Sequence, residues 1–164
     1  MKIGIIADTH DNLPNIDKAI KRLNEEKVHL VLHAGDYVAP FSVLRLKPLE
    51  AKLIGIFGNN DGDQQFLKKR FKEINQEIRG KFAEIAVEDI KIAMIHGEDM
   101  ELLTSLIRTQ SYDVVVHAHT HEAKIYREGK TLIINPGEVF GYLSGKSTIA
   151  LLDTQTLDAK IVQI

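Results

Sequence analysis

The stretch Lys2-Ile3-Gly4-Ile5-Ile6-Ala7-Asp8-Thr9-His10 decides the fold: a short apolar run rich in β-branched residues stops at an aspartate, a threonine and a histidine. Runs of this length and composition form strands buried on both faces. The pattern recurs. HLVLHA (29–34) ends at Gly35-Asp36, KLIGIF (52–57) at Gly58-Asn59-Asn60-Asp61, IKIAMI (90–95) at His96-Gly97, and YDVVVHA (112–118) at His119-Thr120-His121. In open α/β sheets ligands bind beyond the carboxyl ends of the strands, so groups distant in sequence can converge there.

The segments between these runs set the architecture. Pro14 opens a stretch with apolar residues at Ile16, Ala19, Ile20 and Leu23, the spacing of an amphipathic helix with proline in its first turn. Strands are expected near 28–34 and 51–57, with a short helix between Pro40 and Pro48. A charged helix near 63–74 follows, then strands at 82–87 and 90–95 and a helix from Met100 to Thr109. From 113 onward the pattern changes to short strands at 113–118, 123–127, 131–134, 147–152 and 157–163, with a hairpin turn at Glu128-Gly129-Lys130. The first half reads as βαβ units and the second as mostly antiparallel strands. Two packed sheets flanked by helices accommodate both.

Composition excludes several classes. A chain of 164 residues is long enough to bury roughly 70% of its unfolded surface in one core, so a single domain over residues 1–164 is expected. With 44% hydrophobic and 27% charged residues, no apolar run approaches the roughly 20 residues of a membrane span. A strand beginning at Lys2 leaves no room for a signal peptide, and zero cysteines remove disulfides and thiolate metal sites, which fits a cytoplasmic location. The net charge of −2 gives no general attraction to nucleic acid or to an anionic membrane.

Aspartate, histidine and asparagine without cysteine make an oxygen and nitrogen ligand set, suited to Mn, Fe, Ni, Zn or Mg rather than to Cu(I). Seven candidates (Asp8, His10, Asp36, Asn59, His96, His119 and His121) exceed the needs of one catalytic ion. Two divalent ions sharing a bridging carboxylate would use all of them. Such pairs lower the pKa of a bridging water and clamp an in-line displacement at phosphorus, which is a phosphoesterase design.

The ordered motifs Asp-x-His, Gly-Asp, Gly-Asn-x-Asp, His-Gly and His117-Ala118-His119-Thr120-His121 resemble those of the calcineurin-like metallophosphoesterase superfamily, from Met1 to about Tyr142. The size, the Asn59-Asn60-Asp61 variant and Asn135-Pro136-Gly137-Glu138 look most like its small prokaryotic YfcE-like phosphodiesterase branch. The resemblance implies an α/β fold, a four-layer αββα sandwich of two packed mixed β-sheets flanked by helices. It implies one ion on Asp8, His10, Asp36 and His121 and a second on Asp36, Asn59, His96 and His119, with manganese first among the candidates. A metal-bridging hydroxide would attack a phosphodiester, with Asn60 orienting the phosphate and His96 helping to stabilise the developing charge. A phosphomonoesterase or phosphoprotein phosphatase differs only in substrate. A non-catalytic scaffold, similar to the retromer subunit with this fold, is the alternative of another class.

Two departures from the family pattern stand out. Many catalytic members carry a histidine where this chain has Asn60, which can donate a hydrogen bond but not a proton near neutral pH. The last motif usually begins with glycine where this chain has Ala118, a harmless change if φ there is negative. His33 and His117 lie within strand runs and read as satisfied strand histidines or supporting groups; His29 reads as surface. Asp11 and Asp61 read as caps or supports, and Lys68-Lys69-Arg70 as a solvated helix face. Asn135-Pro136-Gly137-Glu138 is either a rigid turn or a turn approaching the metals, and Phe140, Tyr142 and Leu143 line either a pocket or an interface. Oligomeric state stays open, a homo-oligomer included.

Overall fold

A computed structural model describes residues 1–164. In chain order the elements are β1 (Lys2–Ile6), α1 (Leu13–Glu25), β2 (Leu30–His33), a 3-10 helix (Pro40–Leu46), β3 (Lys52–Gly55), α2 (Gln64–Glu73), β4 (Glu77–Ile78), β5 (Phe82–Val87) and β6 (Ile90–Ile95). They continue with α3 (Met100–Arg108), β7 (Val114–Val116), β8 (Lys124–Glu128), β9 (Thr131–Asn135), β10 (Thr148–Asp153) and β11 (Asp158–Gln163). One sheet has the order β11-β10-β1-β2-β3-β4 and the other β5-β6-β7-β9-β8. Both are mixed: β1 to β4 run parallel with β10 antiparallel to β1, and β6, β7 and β9 run parallel between antiparallel edges β5 and β8.

Alternation along buried strands sorts the layers. Ile3, Ile5, Ala7, Leu30, Leu32 and Ala34 face the second sheet, where Ile92, Met94, Val114, Val116, Leu132 and Ile134 meet them. Ile6 and Val31 point the other way, onto Ile16, Ala19, Ile20 and Leu23 of α1. Leu103 and Ile107 of α3 cover the outer face of the second sheet at Ala93, Ile95, Val115 and Ile133. The result is the expected αββα sandwich, with each buried Ile, Leu or Val contributing about 1.5–3 kcal/mol. At α1, Asn12 caps the helix by accepting from the Asn15 backbone N–H, and Pro14 sits in its first turn. No helix is long and apolar enough to cross a membrane.

The second half is mostly antiparallel, as expected, with β7 the exception. Helix α3 is a crossover, so β7 lies parallel to β6, while β10 and β11 leave the second sheet and join the first. Hydrophobic period sets which face is buried, not the direction of the neighbour. Strand β4, with its two residues, is too short to show a period, and β7 stops at Val116, before His117.

Gly55 shows how closely the helical layer sits. A Cβ there would run into the Tyr37 hydroxyl and lie 3.1 and 3.3 Å from Phe71 ring atoms, whereas a Cβ at Gly62 would meet nothing within 4 Å. Gly55→Ala is therefore expected to cost about 1–3 kcal/mol and lower the thermal midpoint measurably, because neither ring has room to retreat. Gly62→Ala should change stability by no more than about 0.5 kcal/mol. Paired thermal denaturation curves check both; equal midpoints would contradict the packing described.

Candidate metal centre

The carboxyl ends of β1, β2, β3, β6 and β7 meet at one edge of the sandwich. Asp8 N–H donates to the Gly35 carbonyl (3.0 Å), Ala118 N–H to the His96 carbonyl (2.8 Å), and His119 N–H to Asp8 Oδ2 (3.3 Å), so the last contact ties the two sheets together. The chain turns sharply here. Asp8, His10, Asp36, His119 and His121 have φ of +50°, +37°, +62°, +69° and +61°, a left-handed region that side chains other than glycine seldom adopt. Such backbone strain concentrates where a ligand is held. Ala118 is not among the positive-φ residues, so alanine fits where the family has glycine.

Asp61 holds one of these turns. Its carboxylate is buried and accepts the backbone N–H groups of Asp36 (3.0 Å), Tyr37 (2.8 Å), Val38 (2.9 Å) and Gly58 (2.7 Å). The two strand-end loops also touch. A Cβ at Gly35 would lie 2.6 Å from the Gly58 nitrogen and 3.0 Å from His96 Nδ1, which explains the glycine before Asp36.

The donor atoms converge. His10 Nε2 is 3.7 Å from Asp8 Oδ1 and 3.5 Å from Asp36 Oδ2. His96 Nε2 is 3.4 Å from Asp36 Oδ2 and 4.0 Å from Asp8 Oδ1, and His121 Nε2 is 3.9 Å from Asp8 Oδ1. Atoms that share an ion at about 2.1 Å each can be at most about 4.2 Å apart. Every one of these separations satisfies that limit. Asp8 with His10 and His121, and Asp8 with Asp36 and His96, form the two convergent groups, so both carboxylates lie between the imidazoles. His119 lies outside them, its Nδ1 3.0 Å from Asn59 Oδ1 and its ring edge-on to His96 at 5.3 Å. Asp8 Oδ1, His10 Nε2 and His96 Nε2 are buried and have no hydrogen-bond partner in the protein, a cost that a cation at this place removes. The residues therefore fit divalent metal.

Imidazole orientation is set from behind. His96 Nδ1 lies 2.7 Å from the Ala34 carbonyl and can only donate to it, which leaves Nε2 turned to the site and able to hold a cation. His121 Nδ1 sits 2.9 Å from Glu138 Oε2, which turns its Nε2 towards Asp8. Glu138 is fully buried and also accepts from the Ser144 backbone and hydroxyl. Glu138 was visible in the sequence only as part of a turn; its signal was a carboxylate directly after Asn-Pro-Gly at a strand end. With Nδ1 given to the Ala34 carbonyl, Nε2 is the His96 atom that faces Asp8 and Asp36.

Asn60 is exposed, its side-chain Nδ2 donating to Asp36 Oδ2 (2.7 Å) and its backbone N–H to Asp36 Oδ1 (2.9 Å). Burial raises the Asp36 pKa, but donors from His96 and Asn60 outweigh it and hold the carboxyl well below the usual range. Burial likewise opposes charge on His96, yet Asp36 and Asp8 prevail and push it up to about 9, and the same carboxylates raise His10. The field that favours imidazolium favours a metal cation.

Other histidines take supporting places. His33 is fully buried, stacks on Tyr37 at 3.9 Å, accepts from Gly35 N–H at Nδ1 (3.2 Å) and faces the Thr9 hydroxyl (3.4 Å). His117 is half-buried with Nδ1 against the Ala118 carbonyl, and exposed His29 meets the Lys2 backbone. Asp11 accepts from Ala39 N–H at the start of the 3-10 helix.

Residues 1–157 match the calcineurin-like phosphoesterase superfamily domain, and the chain belongs to that family. It is 45% identical over 156 residues to a phosphodiesterase of Methanocaldococcus jannaschii, covering 94% of each chain. A solved archaeal phosphodiesterase matches with a TM-score of 0.96 at 42% identity over 100% of both chains. At lower identity the fold alone is shared. YfcE, a phosphoesterase from E. coli, has a TM-score of 0.74 at 20% identity, covering 100% of this chain and 98% of its own. Vacuolar protein sorting 29 from Cryptosporidium parvum has a TM-score of 0.71 at 18% identity, covering 99% and 96%.

His33 generates a pH prediction. Burial pushes its pKa down to about 3, against about 6.5 for an exposed histidine, so between these values the unfolded chain binds a proton that the folded chain does not. Stability is full above the unfolded value and is lost as pH falls towards the folded one. In chelator-treated protein, His33→Asn keeps an acceptor for Gly35 N–H but no titrating group. It should lower the thermal midpoint at pH 7 and flatten its decline between about pH 6.5 and pH 4. Parallel midpoint-versus-pH curves for variant and wild type would refute this.

Proposed function

We propose that this chain is a metal-dependent phosphodiesterase whose whole length, residues 1–164, forms one catalytic domain. The observation that carries the proposal is the convergence of buried, unpartnered Asp8 Oδ1, His10 Nε2 and His96 Nε2 at strand ends, in a chain similar to proteins described as phosphodiesterases. One ion would be held by Asp8, His10, Asp36 and His121, and another by Asp36, Asn59, His96 and His119. Asp36 is proposed as the bridge because its Oδ2 lies 3.5 Å from His10 Nε2 and 3.4 Å from His96 Nε2. Mn²⁺ is our first choice for this oxygen and nitrogen set, ahead of Ni²⁺, Fe²⁺, Zn²⁺ and Mg²⁺, and the cytoplasm our choice of compartment. Bound divalent ions supply Lewis acidity and an activated water for ester hydrolysis.

The chain's own groups set the rest. Asn60, exposed at the site, spends one amide hydrogen on Asp36 and keeps a second to orient a phosphate oxygen. His96 would act as a ligand, through the lone pair of its neutral Nε2. Asp8, Asp36, Asp61 and Glu138 place carboxylates in and beneath the centre, so a singly charged diester meets less repulsion than a doubly charged monoester. A groove of about 380 Å³ opens beside His121 and carries Lys146, Ser144 and Glu122, a polar approach for the ester. Identity of 45% over 94% of the chain to a phosphodiesterase favours the catalytic reading over the non-catalytic scaffold.

Reconstitution with one metal at a time tests the proposal. Turnover should require metal and favour an aryl diester over the monoester with the same leaving group. Asp36→Ala should abolish hydrolysis and reduce metal content at both positions, whereas His10→Ala should mainly lose one ion. Saturation at one ion per chain by elemental analysis, or a monoester preference above about tenfold, would overturn it.

A second expectation concerns the leaving group. Asn60 supplies no proton and neutral, sealed His33 supplies none either; with water and half-buried His117 as the remaining sources, departure depends strongly on the acidity of the leaving alcohol. General-acid help is worth about 10² to 10⁴ in rate. Asn60→His should therefore accelerate esters of poor leaving groups selectively and flatten the plot of log kcat/KM against leaving-group pKa. An unchanged slope in a variant that retains its metals would defeat this account.

A further inference from the structure

The organic arm of the substrate is addressed by a line of rings leading out of the metal centre. His121 and His10 stack with centroids 5.2 Å apart, Phe140 lies 5.3 Å beyond His10, and Tyr142 lies 5.7 Å beyond Phe140. The outer end is open: Tyr142 is 79% exposed and Leu143 is 65% exposed. So exposed a ring adds nothing to the core, and its hydration is unfavourable enough that a flat partner gains by covering it.

The segment that carries these rings is anchored on both sides. Phe140 N–H donates to the Asp8 carbonyl (2.9 Å), so the first rung is tied to a ligand residue. Its carbonyl accepts from Asn12 Nδ2 (2.8 Å) and Asn15 Nδ2 (3.1 Å) at the start of α1. On the other side Ser144 donates its backbone N–H and hydroxyl to Glu138, the residue that orients His121. Gly141-Tyr142-Leu143 is thus a short tip between two fixed points, with Gly141 at φ +72° making the turn. A ring presented in this way loses little freedom when a ligand stacks on it.

We propose that Phe140 and Tyr142 form a stacking platform for a flat aromatic group on the substituent that stays on phosphorus, a nucleobase being its biological form. The inference rests on the phosphodiesterase reading: a diester has two organic arms, one of which departs while the other must be seated beside the metals. A neutral aromatic face suits a base in any sequence context, since every base offers a π-face. The chain's net charge of −2 offers no general attraction to a polyanion, which favours a nucleotide diester over a nucleic-acid strand.

The test compares nucleoside and alkyl esters in binding and in turnover. Calorimetric titration of the metal-loaded protein uses the hydrolysis-resistant thymidine 5′-(methyl phosphorothioate) against dimethyl phosphorothioate. Wild type should bind the nucleoside ester about tenfold more tightly or better; Tyr142→Ala should lose most of that advantage and Tyr142→Phe keep it. In turnover, the ratio of kcat/KM for 4-nitrophenyl thymidine 5′-phosphate over 4-nitrophenyl ethyl phosphate should fall about tenfold in Tyr142→Ala and return in Tyr142→Phe. Equal affinities in wild type, or ratios indifferent to Tyr142, overturn the platform, as does a Tyr142→Ala variant that changes only self-association in sedimentation. Tyr142-dependent binding without hydrolysis of either diester sinks the phosphodiesterase reading alone, and hydrolysis of both with no effect at Tyr142 sinks the platform alone.

Discussion

The buried carboxylate of Asp61 is the constraint on which the candidate metal centre depends. Four backbone N–H groups, from Asp36, Tyr37, Val38 and Gly58, end on it. They come from the turns after two adjacent strands, so one side chain fixes both. Asp36 and Val38 stand at φ +62° and +79°, the latter severe for a β-branched residue, and neither would persist without such a hold. Charge-assisted hydrogen bonds of this kind are each worth about 1.5–3 kcal/mol, comparable with the strain they oppose. Asp36 is in turn the carboxylate that faces both His10 and His96.

Fold and site were legible in the sequence to different depths, and for different reasons. The β1, β2, β3 and β6 runs announce themselves because a doubly buried strand must be apolar throughout, and α1 because Ile16, Ala19, Ile20 and Leu23 must share a face. Strand direction carries no such signature: the crossover through α3 that makes β7 parallel to β6 leaves the same valines in place. The return of β10 and β11 to the first sheet is equally silent, since Ala150 and Leu152 are apolar in either sheet.

At the site, the residue types were readable and the support beneath them was not. Asp8, His10, Asp36, His96 and His121 are brought together, with Asn59 and His119 joined beside them. Yet Glu138 looked like part of a turn, because nothing in Asn-Pro-Gly-Glu tells that the chain folds back 17 positions to His121. Asp61 was equally compatible with a helix cap, the post that Asp63 takes. The inward turn of Asn60 onto Asp36 was hidden for the same reason. Hydrogen bonds made across a fold are set by its topology, whereas ligand chemistry is set by residue type.

The buried carboxylates also divide their labour. Burial raises the Asp61 carboxyl and its backbone donors only partly offset it, whereas at Glu138 burial is outweighed by hydrogen bonds from Ser144 and His121, which hold it below its ordinary value. Asp8 Oδ1 has no such partner, and Asp36 Oδ2 has Asn60 together with two imidazoles within 3.5 Å. Two carboxylates are therefore left to attract whatever cation enters. Protons and divalent ions compete for that place, because His10 and His96, drawn towards imidazolium by these carboxylates, must be neutral to bind metal through Nε2. Were metal held through these Nε2 atoms, its uptake would release protons from the same strand-end geometry.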